Sequence, residues 1–342
     1  MIINKLDVDK KYTRVIDFGC SYSNYRWMTW ADLIAKTIWP QKYIRASTPA
    51  SGIFYALSQL THVKHREELT HKDLILYQFP ALTRLDVLRD NMNSEQNWSL
   101  RGDFAFTPEM EDVYFPQEDG FGITTFNILD HYMKGYVYIR DTFNILEKLP
   151  CDVLVIGTDE YFYDLEYVLN CPDANLTETL IARLEDVSWD WTRKRIPLIT
   201  EDNSETINKI NSKPNLRAYV DKLRRTYTMG MDPTTGKHIF TTDAPQDVIY
   251  NMIDGHPSPR IVNDFVQENL LTQHSDRMDA HAHQHQENYL EIWDKILTSD
   301  DPYWSNSKLT NMFMHVDLEI NNNYVDSVSY PLNSYLVEGF CQ

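Results

Sequence analysis

A serine that directly follows a short apolar segment is the first residue whose type and position suit nucleophilic chemistry. Ser21 comes after the β-branched, apolar stretch 14–18 and the turn residue Gly19. In an open parallel sheet, ligands bind at the carboxyl ends of the strands. A helix starting here would also direct backbone N–H groups toward an anion that forms beside Ser21. Serine is equally a common helix N-cap, and this segment alone favours the cap.

A nucleophilic serine requires a base, and the segment Asp254-Gly255-His256-Pro257-Ser258 offers one far along the chain. Histidine is a common proton acceptor for serine, and a carboxylate beside it orients the imidazole. Asp254 and His256 are these two residue types, two positions apart. An Asp-Gly turn before proline is also common without any chemistry. Taken alone, this segment favours the turn.

Together the two segments resemble the SGNH, or GDSL-type, hydrolase superfamily. The family's first motif is Gly-Asp-Ser after the first strand, which here reads Gly19-Cys20-Ser21. The phrase FGCSYS followed by TWADLIA is similar to bacteriophage-type members. The last family motif carries Asp and His near a proline, as Asp254 and His256 do. The resemblance implies that Ser21 is the nucleophile, His256 its base, and Asp254 the residue that orients the base.

The resemblance also implies an oxyanion hole, in which Gly52 donates its backbone N–H beside that of Ser21. The third family motif places an Asn after strand three, and the corresponding phrase QFPALTR contains none. Bacteriophage-type members show a similar Gln-aromatic phrase with a nearby Arg, so Gln78 or Arg84 is the expected substitute donor. The segment 157–159 (Gly-Thr-Asp) is a weaker match to this motif. Losing one oxyanion donor typically costs about 10²–10³ in rate.

Short apolar strands that alternate with helical segments predict a three-layer α/β fold with a parallel sheet. The resemblance, which spans residues 14 to about 265, implies a flavodoxin-like sheet flanked by helices. The predicted strands cover 14–18, 43–47, 73–79 and 151–157. The predicted helices cover 30–35, 53–62, 123–149, 176–186, 214–225 and 287–297. We predict an SGNH-hydrolase-like domain at 1–274, with an irregular insertion at 86–122, and a C-terminal extension at 275–342.

Charge and composition exclude several classes of protein. The 342 residues include 32 basic and 50 acidic ones, a net charge of −18, which disfavours nonspecific binding to nucleic acid or anionic membranes. Four widely spaced cysteines show no zinc-type pairing and are expected as reduced thiols. The polar segment 1–11 lacks the apolar centre of a signal peptide, and no run approaches the roughly 18 apolar residues of a membrane span. We expect a cytoplasmic protein without a secretion signal, or one carried in a virus particle.

The remaining chemistry-bearing segments favour structural interpretations. His281, His283 and His285, with His274, Asp276 and Asp279 nearby, form the most metal-like stretch, although a solvated polar face or a linker is favoured. The basic clusters 193–195 and 222–225 are expected to pair with local acids. The aromatic residues, 13% of the chain, suit a carbohydrate platform, but core packing is favoured. Glycine-rich phosphate loops do not occur in the sequence.

These observations predict a serine esterase or deacetylase that needs no cofactor and no metal. The substrate class is an ester, for which an O-acetylated carbohydrate is one candidate. The alternative is a catalytically weak or inactive structural or binding protein of a phage virion or tail. Its partners would be other virion proteins or further copies of this chain.

Overall fold

A computed structural model describes most of the chain. The described residues are 1–25, 27–82, 84–88, 98–103, 128–158, 203–231, 234, 238–298 and 325–327. The strands are β1 (Ile2–Ile3), β2 (Arg14–Phe18), β3 (Lys42–Arg45), β4 (Asp73–Phe79), β5 (Arg84–Leu88), β6 (Trp98–Asp103), β7 (Asp152–Gly157), β8 (Thr228–Met231), β9 (His238–Phe240) and β10 (Val325–Ser327). The helices are α1 (Trp30–Ile38), α2 (Ile53–Arg66), α3 (Ile128–Leu146), α4 (Ser204–Asn211), α5 (Leu216–Tyr227), α6 (Gln246–Asp254), α7 (Pro259–Asn269) and α8 (Asp276–Thr298).

Six of these strands form one parallel sheet in the order β1-β7-β4-β2-β3-β10. The chain leaves β2 through α1 to reach β3 on one side, and it returns through α2 to β4 on the other side. The winding direction therefore reverses between β2 and β4. In open α/β sheets this switch point leaves a crevice at the carboxyl ends of the strands, where ligands bind. Ser21 follows β2 at this edge of the sheet.

Helices cover both faces of the sheet, because side chains alternate between the faces along every strand. Ile16 and Phe18 of β2 pack on one face with α2, α3 and α4. Val15 packs on the other face with α1, α5, α7 and α8. All seven residues of β4 are buried, as expected for a central strand of a parallel sheet. The predicted α/β fold with a parallel sheet and flanking helices is confirmed.

The described parts of the predicted insertion at 86–122 form regular strands and are not irregular, while the insertion itself stays a prediction. β5 and β6 pair in an antiparallel hairpin, with a register shift between Arg84 and Asp86. The sequence Arg-Leu-Asp-Val-Leu at 84–88 alternates polar and apolar residues at its start, which is the pattern of a strand. The rest of the insertion lies outside the described residues, as does the predicted helix at 176–186.

Two segments of the predicted C-terminal extension contact the sheet and its helices. α8 begins at Asp276, earlier than the predicted 287, and packs against α1 and α7. β10 pairs in parallel with β3 at the edge of the sheet. The interpretation of the His-rich stretch as a linker is therefore wrong, because it is helical with one face buried. The domain boundary at residue 274 stays a prediction.

None of the helices in the described part of the chain is both long enough and apolar enough to cross a membrane. Cys20 and Cys151 are buried free thiols, as expected, whereas Cys171 and Cys341 lie outside the described residues. Trp27 and Trp30 are buried in the core, which agrees with the packing interpretation of the aromatic residues. Trp39, at the C-terminus of α1, is instead about half exposed.

Candidate active site

The turn after β2 is built around a glycine that no other residue can replace without strain. Gly19 has φ of 151°, a conformation that side chains other than glycine rarely adopt. A Cβ atom at this position would lie 2.7 Å from both Gln78 Oε1 and Ser23 Oγ. The turn continues with hydrogen bonds from the backbone N–H groups of Ser23 and Asn24 to the carbonyl of Cys20. Gly19 therefore lets the segment that carries Ser21 pass close to β4.

Gln78 holds this turn in place from the end of β4. Its side chain is fully buried, its Nε2 donates to Cys20 Sγ at 3.1 Å, and its Oε1 accepts from Ser23 Oγ. Trp30 Nε1 in turn donates to Ser23 Oγ at 2.9 Å. The geometry gives Gln78 a role in positioning the turn. Its predicted role as an oxyanion donor stays a prediction.

Ser21 itself lies in the turn and is not the N-cap of α1. That cap is Thr29, whose side chain and Asp32 form a reciprocal capping box. Ser21 is 5% exposed, and its Oγ lies 3.4 Å from Nη2 of Arg84. Nη1 of the same guanidinium donates to the backbone carbonyl of Ser51 at 3.3 Å. Of the two predicted substitute donors, Arg84 is the one that contacts the candidate nucleophile.

Gly52 is the N-cap of α2, and its backbone N–H is donated to a carboxylate. The acceptor is Oδ1 of Asp86 at 2.6 Å, while Oδ2 of Asp86 accepts from the N–H of Tyr55 at 2.8 Å. Burial raises the pKa of Asp86 to about 6, although the backbone donors and the charge of Arg84 oppose this shift. In this conformation the N–H of Gly52 is therefore engaged. Sequence reasoning missed Asp86 because it assigned residue 86 to an irregular insertion, although the alternation at 84–88 was a usable signal.

The loop that carries His256 lies against the turn that carries Ser21. α6 ends at Asp254, and Gly255 turns the chain with φ of 87° in the left-handed region. Tyr22 Oη donates to the carbonyl of Gly255 at 3.0 Å. The ring of Tyr25 stacks on the imidazole of His256, with ring centroids 3.7 Å apart. Residues more than 230 positions apart in sequence thus contact each other.

Two further hydrogen-bond systems hold the His256 loop. Trp27 Nε1 donates to the carbonyl of Pro257 at 2.8 Å. The buried carboxylate of Asp247 accepts from Ser258 Oγ at 2.6 Å. Arg260 binds the same carboxylate through Nε and Nη2, both at 2.9 Å. The position of His256 is therefore set by side chains on both sides of the loop.

Two predicted site elements are only partly described. The side chain of Asp254 lies outside the part of the chain that the structure describes, so its role in orienting the imidazole stays a prediction. For the weaker match at 157–159, the N–H of Gly157 is donated to the carbonyl of Pro214 at 2.8 Å, and Asp159 is outside the described residues. The backbone of Gly157 is therefore engaged in pairing with the segment before α5.

His281, His283 and His285 lie on α8 and do not form a group of metal ligands among the residues that the structure describes. His285 is buried and its Nε2 lies 2.9 Å from Nζ of Lys36, whereas His283 is 78% exposed. His274, Asp276 and Asp279 do bring ligand atoms within 4.8 Å of one another, but on the protein surface. Such exposed groups also occur together without a metal.

Of the two basic clusters, 222–225 pairs locally as predicted, and 193–195 lies outside the described residues. Arg224 donates to the side-chain oxygens of Asp221 at 3.1 Å and Asn251 at 2.7 Å. The first bond lies within α5, and the second joins α5 to α6.

The site thus combines a serine on a glycine turn, a guanidinium beside its hydroxyl, and a histidine loop braced against the same turn. No protein-family model matches the sequence, and no curated protein matches it either. The functional interpretation therefore depends on the geometry of the site and on the motifs in the sequence.

Proposed function

We propose that the chain is a serine ester hydrolase of the SGNH type on a flavodoxin-like sheet. One observation carries the proposal: the Tyr25 ring stacks on His256 at 3.7 Å, and Tyr22 binds Gly255 in the same loop. The two motifs that the family pairs in its catalytic centre thus contact each other here. The strand order supports the fold assignment, because β3-β2-β4-β7 corresponds to a 2-1-3-4 arrangement with its switch point beside Ser21.

The proposed reaction proceeds through an acyl-enzyme. Ser21 Oγ attacks the ester carbonyl carbon while His256 accepts its proton, and Asp254 orients the imidazole. Arg84 and the N–H of Ser21 donate to the oxyanion of the tetrahedral intermediate. The intermediate collapses, the C–O bond to the alcohol breaks, and His256 protonates the departing alcohol. Water then attacks the acyl group with His256 as base, which releases the acid and restores the serine hydroxyl.

Two features of the site favour this assignment of the donors. The guanidinium of Arg84 is 3.4 Å from Ser21 Oγ, which puts a cationic donor beside the carbonyl oxygen of an ester that Ser21 attacks, where negative charge develops. Gly52, by contrast, donates its N–H to Asp86. The proposal therefore gives Arg84 the place that the family gives to its third-motif Asn.

The wider setting is part of the same proposal. The substrate is an ester, with an O-acetylated carbohydrate as the leading candidate. Residues 275–342 form a C-terminal extension, and the protein is cytoplasmic when made and associated with a virion afterwards. Its partners are other virion proteins or further copies of this chain.

A second candidate function is a structural or binding protein on the same fold with weak or no catalysis. Two observations favour it: the Ser21 side chain is 5% exposed, and the N–H of Gly52 is already donated to Asp86. This candidate predicts stable assembly into a larger particle without hydrolysis.

The test is labelling of the full chain with a fluorophosphonate, together with hydrolysis of a short-chain aryl ester. The variants are Ser21→Ala, His256→Gln and the control Ser212→Ala, whose hydroxyl binds the Lys209 carbonyl at the end of α4. The hydrolase predicts labelling and turnover that both Ser21→Ala and His256→Gln abolish and Ser212→Ala retains. Labelling that persists in Ser21→Ala contradicts the assignment of the nucleophile. If the unaltered protein shows no labelling and no turnover, the second candidate is favoured.

A further inference from the structure

We infer that Asp86 is the positioning residue of this site, because it fastens β5 to the start of α2 and thereby sets Arg84 against Ser21. The inference rests on the proposed hydrolase function. Asp86 contacts the backbone of α2 and is given no contact with substrate. It acts through Arg84, which contacts the candidate nucleophile.

No side chain at the N-cap of α2 caps this helix. The first N–H groups of a helix have no partner within the helix, and a side chain at the N-cap usually satisfies one of them. The N-cap of α2 is Gly52, which has no side chain to do so. Asp86 supplies both acceptors from another strand, to Gly52 N at 2.6 Å and Tyr55 N at 2.8 Å. A carboxylate at this end of a helix is also favoured by the helix dipole.

β5 lies directly on Gly52, so this position has room only for a residue without a side chain. A Cβ atom at Gly52 would be 2.7 Å from Asp86 Oδ2 and 2.9 Å from the backbone carbonyl of Arg84. The glycine thus permits close approach of a strand, which explains its presence without an oxyanion role. Any larger residue would push β5 away from α2.

Arg84 and Asp86 both lie on β5. Although the register of β5 shifts between them, both side chains contact the same segment, Arg84 at the carbonyl of Ser51 and Asp86 at the N–H groups that begin α2, so fixing Asp86 there also holds Arg84 in this region. The guanidinium is then held through Nη1 by the carbonyl of Ser51, one residue before the capped Gly52. The planar fork of the guanidinium leaves Nη2 directed at Ser21 Oγ. The cap and the catalytic donor are therefore parts of one arrangement.

The experiment is a double-mutant cycle on the full chain with Arg84→Ala, Asp86→Ala and the double variant. We expect Arg84→Ala to lower kcat on the aryl ester by about 10²-fold, as for other lost oxyanion donors. Asp86→Ala should lower kcat by about 10-fold with little change in KM, and the double variant should match Arg84→Ala alone. Effects on kcat that multiply would overturn the inference. An increase of kcat in Asp86→Ala would overturn it too, because the freed Gly52 N–H would then be the better donor.

A second measurement keeps the test independent of activity. If Asp86 sets the position of Arg84, the shift in urea midpoint that Arg84→Ala causes should be at least halved in the Asp86→Ala background. Equal shifts in both backgrounds contradict the positioning role even when the protein hydrolyses no ester. If the protein hydrolyses no ester but the midpoint shift of Arg84→Ala is at least halved in the Asp86→Ala background, only the hydrolase proposal is contradicted. Asp86→Asn, which keeps one acceptor oxygen, replaces Asp86→Ala if that variant does not fold, and should retain an intermediate kcat.

Discussion

Tyr25 lies almost parallel to the imidazole of His256, with 15° between the two ring planes. Trp27 contacts the same imidazole with its edge, at 6.4 Å between centroids. Aromatic pairs in such geometries contribute stability beyond the burial of their surface. The stack also fixes the tilt of the ring relative to the turn that carries Ser21.

The first prediction concerns this stack. Tyr25→Ala removes the ring and should lower kcat for ester hydrolysis by about 10-fold, because stacked aromatic pairs contribute about 0.5–1.5 kcal/mol. Tyr25→Phe keeps the ring and should retain most of kcat. Steady-state kinetics on the aryl ester measures both variants. Equal losses in the two variants would assign the effect to the hydroxyl and not to the stack.

The second prediction concerns the glycine turn. Gly19→Ala should destabilise the protein by about 2–4 kcal/mol, because the added Cβ combines backbone strain with overpacking against Gln78 and Ser23. Gly230→Ala is the matched control: its φ of 157° is similar, but an added Cβ meets nothing within 4 Å. Urea unfolding should show the smaller loss for the control. Comparable losses would mean that backbone strain alone decides the effect.

The third prediction concerns the brace of the His256 loop. Asp247→Asn should destabilise the protein by about 2–4 kcal/mol, since it removes a buried charge that binds Arg260 and Ser258. Asp264→Asn neutralises a second carboxylate that binds Arg260. The Asp264 side chain is 38% exposed, so this variant should lower the free energy of unfolding by less than about 1 kcal/mol. Chemical denaturation distinguishes the two. A larger effect at Asp264 would contradict the role of Asp247 as the brace.

The fourth prediction is a pH dependence of stability. Burial, and then the charge of Lys36, lower the pKa of His285 to about 4, while Asp32 opposes and His281 adds to the lowering. The unfolded chain takes up a proton near pH 6.5 that the folded chain excludes until about pH 4. Stability from this group is therefore complete above pH 6.5 and declines as the pH falls toward 4. At about 1.4 kcal/mol per unit, the loss approaches about 3 kcal/mol.

The matched control for this titration lies on the same helix. His285→Gln should flatten the fall in unfolding free energy between pH 6.5 and 4.5, as measured by urea titrations at each pH. His283→Gln should leave the profile unchanged, because His283 is 78% exposed. An unaltered profile in His285→Gln would exclude this imidazole as the source of the dependence.

Much of the sheet could be predicted from the sequence because its central strands are short apolar runs with clear ends. β2 and β4 have the predicted bounds, 14–18 and 73–79. β1 was not predicted, because two residues in a polar segment are too few to show an alternation of polar and apolar side chains. The beginning of α8 was missed because the alternating histidines hide a helical apolar face at Met278 and Ala282.

The site was less accessible to sequence reasoning. Motif resemblance alone paired Ser21 with His256, since no local pattern links residues so far apart. Arg84 and Gln78 were predicted as alternative donors. In the structure Arg84 contacts Ser21, whereas Gln78 contacts Cys20 and Ser23. The alternation at 84–88 could have placed Asp86 on a strand, but not revealed its role, because its partners are backbone N–H groups of another element. Such partners leave no signature in residue type.

The pairing of the N-terminal segment with distant parts of the chain has a consequence for the order of folding. Leu6 N donates to the carbonyl of Leu270 at 2.7 Å, and Thr272 N donates to the carbonyl of Leu6 at 3.0 Å. During synthesis, the partners of this segment emerge more than 260 residues after it. Contacts between residues so distant in the chain slow folding, because loop closure precedes any gain from the contact. We therefore expect the segment around Leu6 to dock late, after the chain around Leu270 has folded.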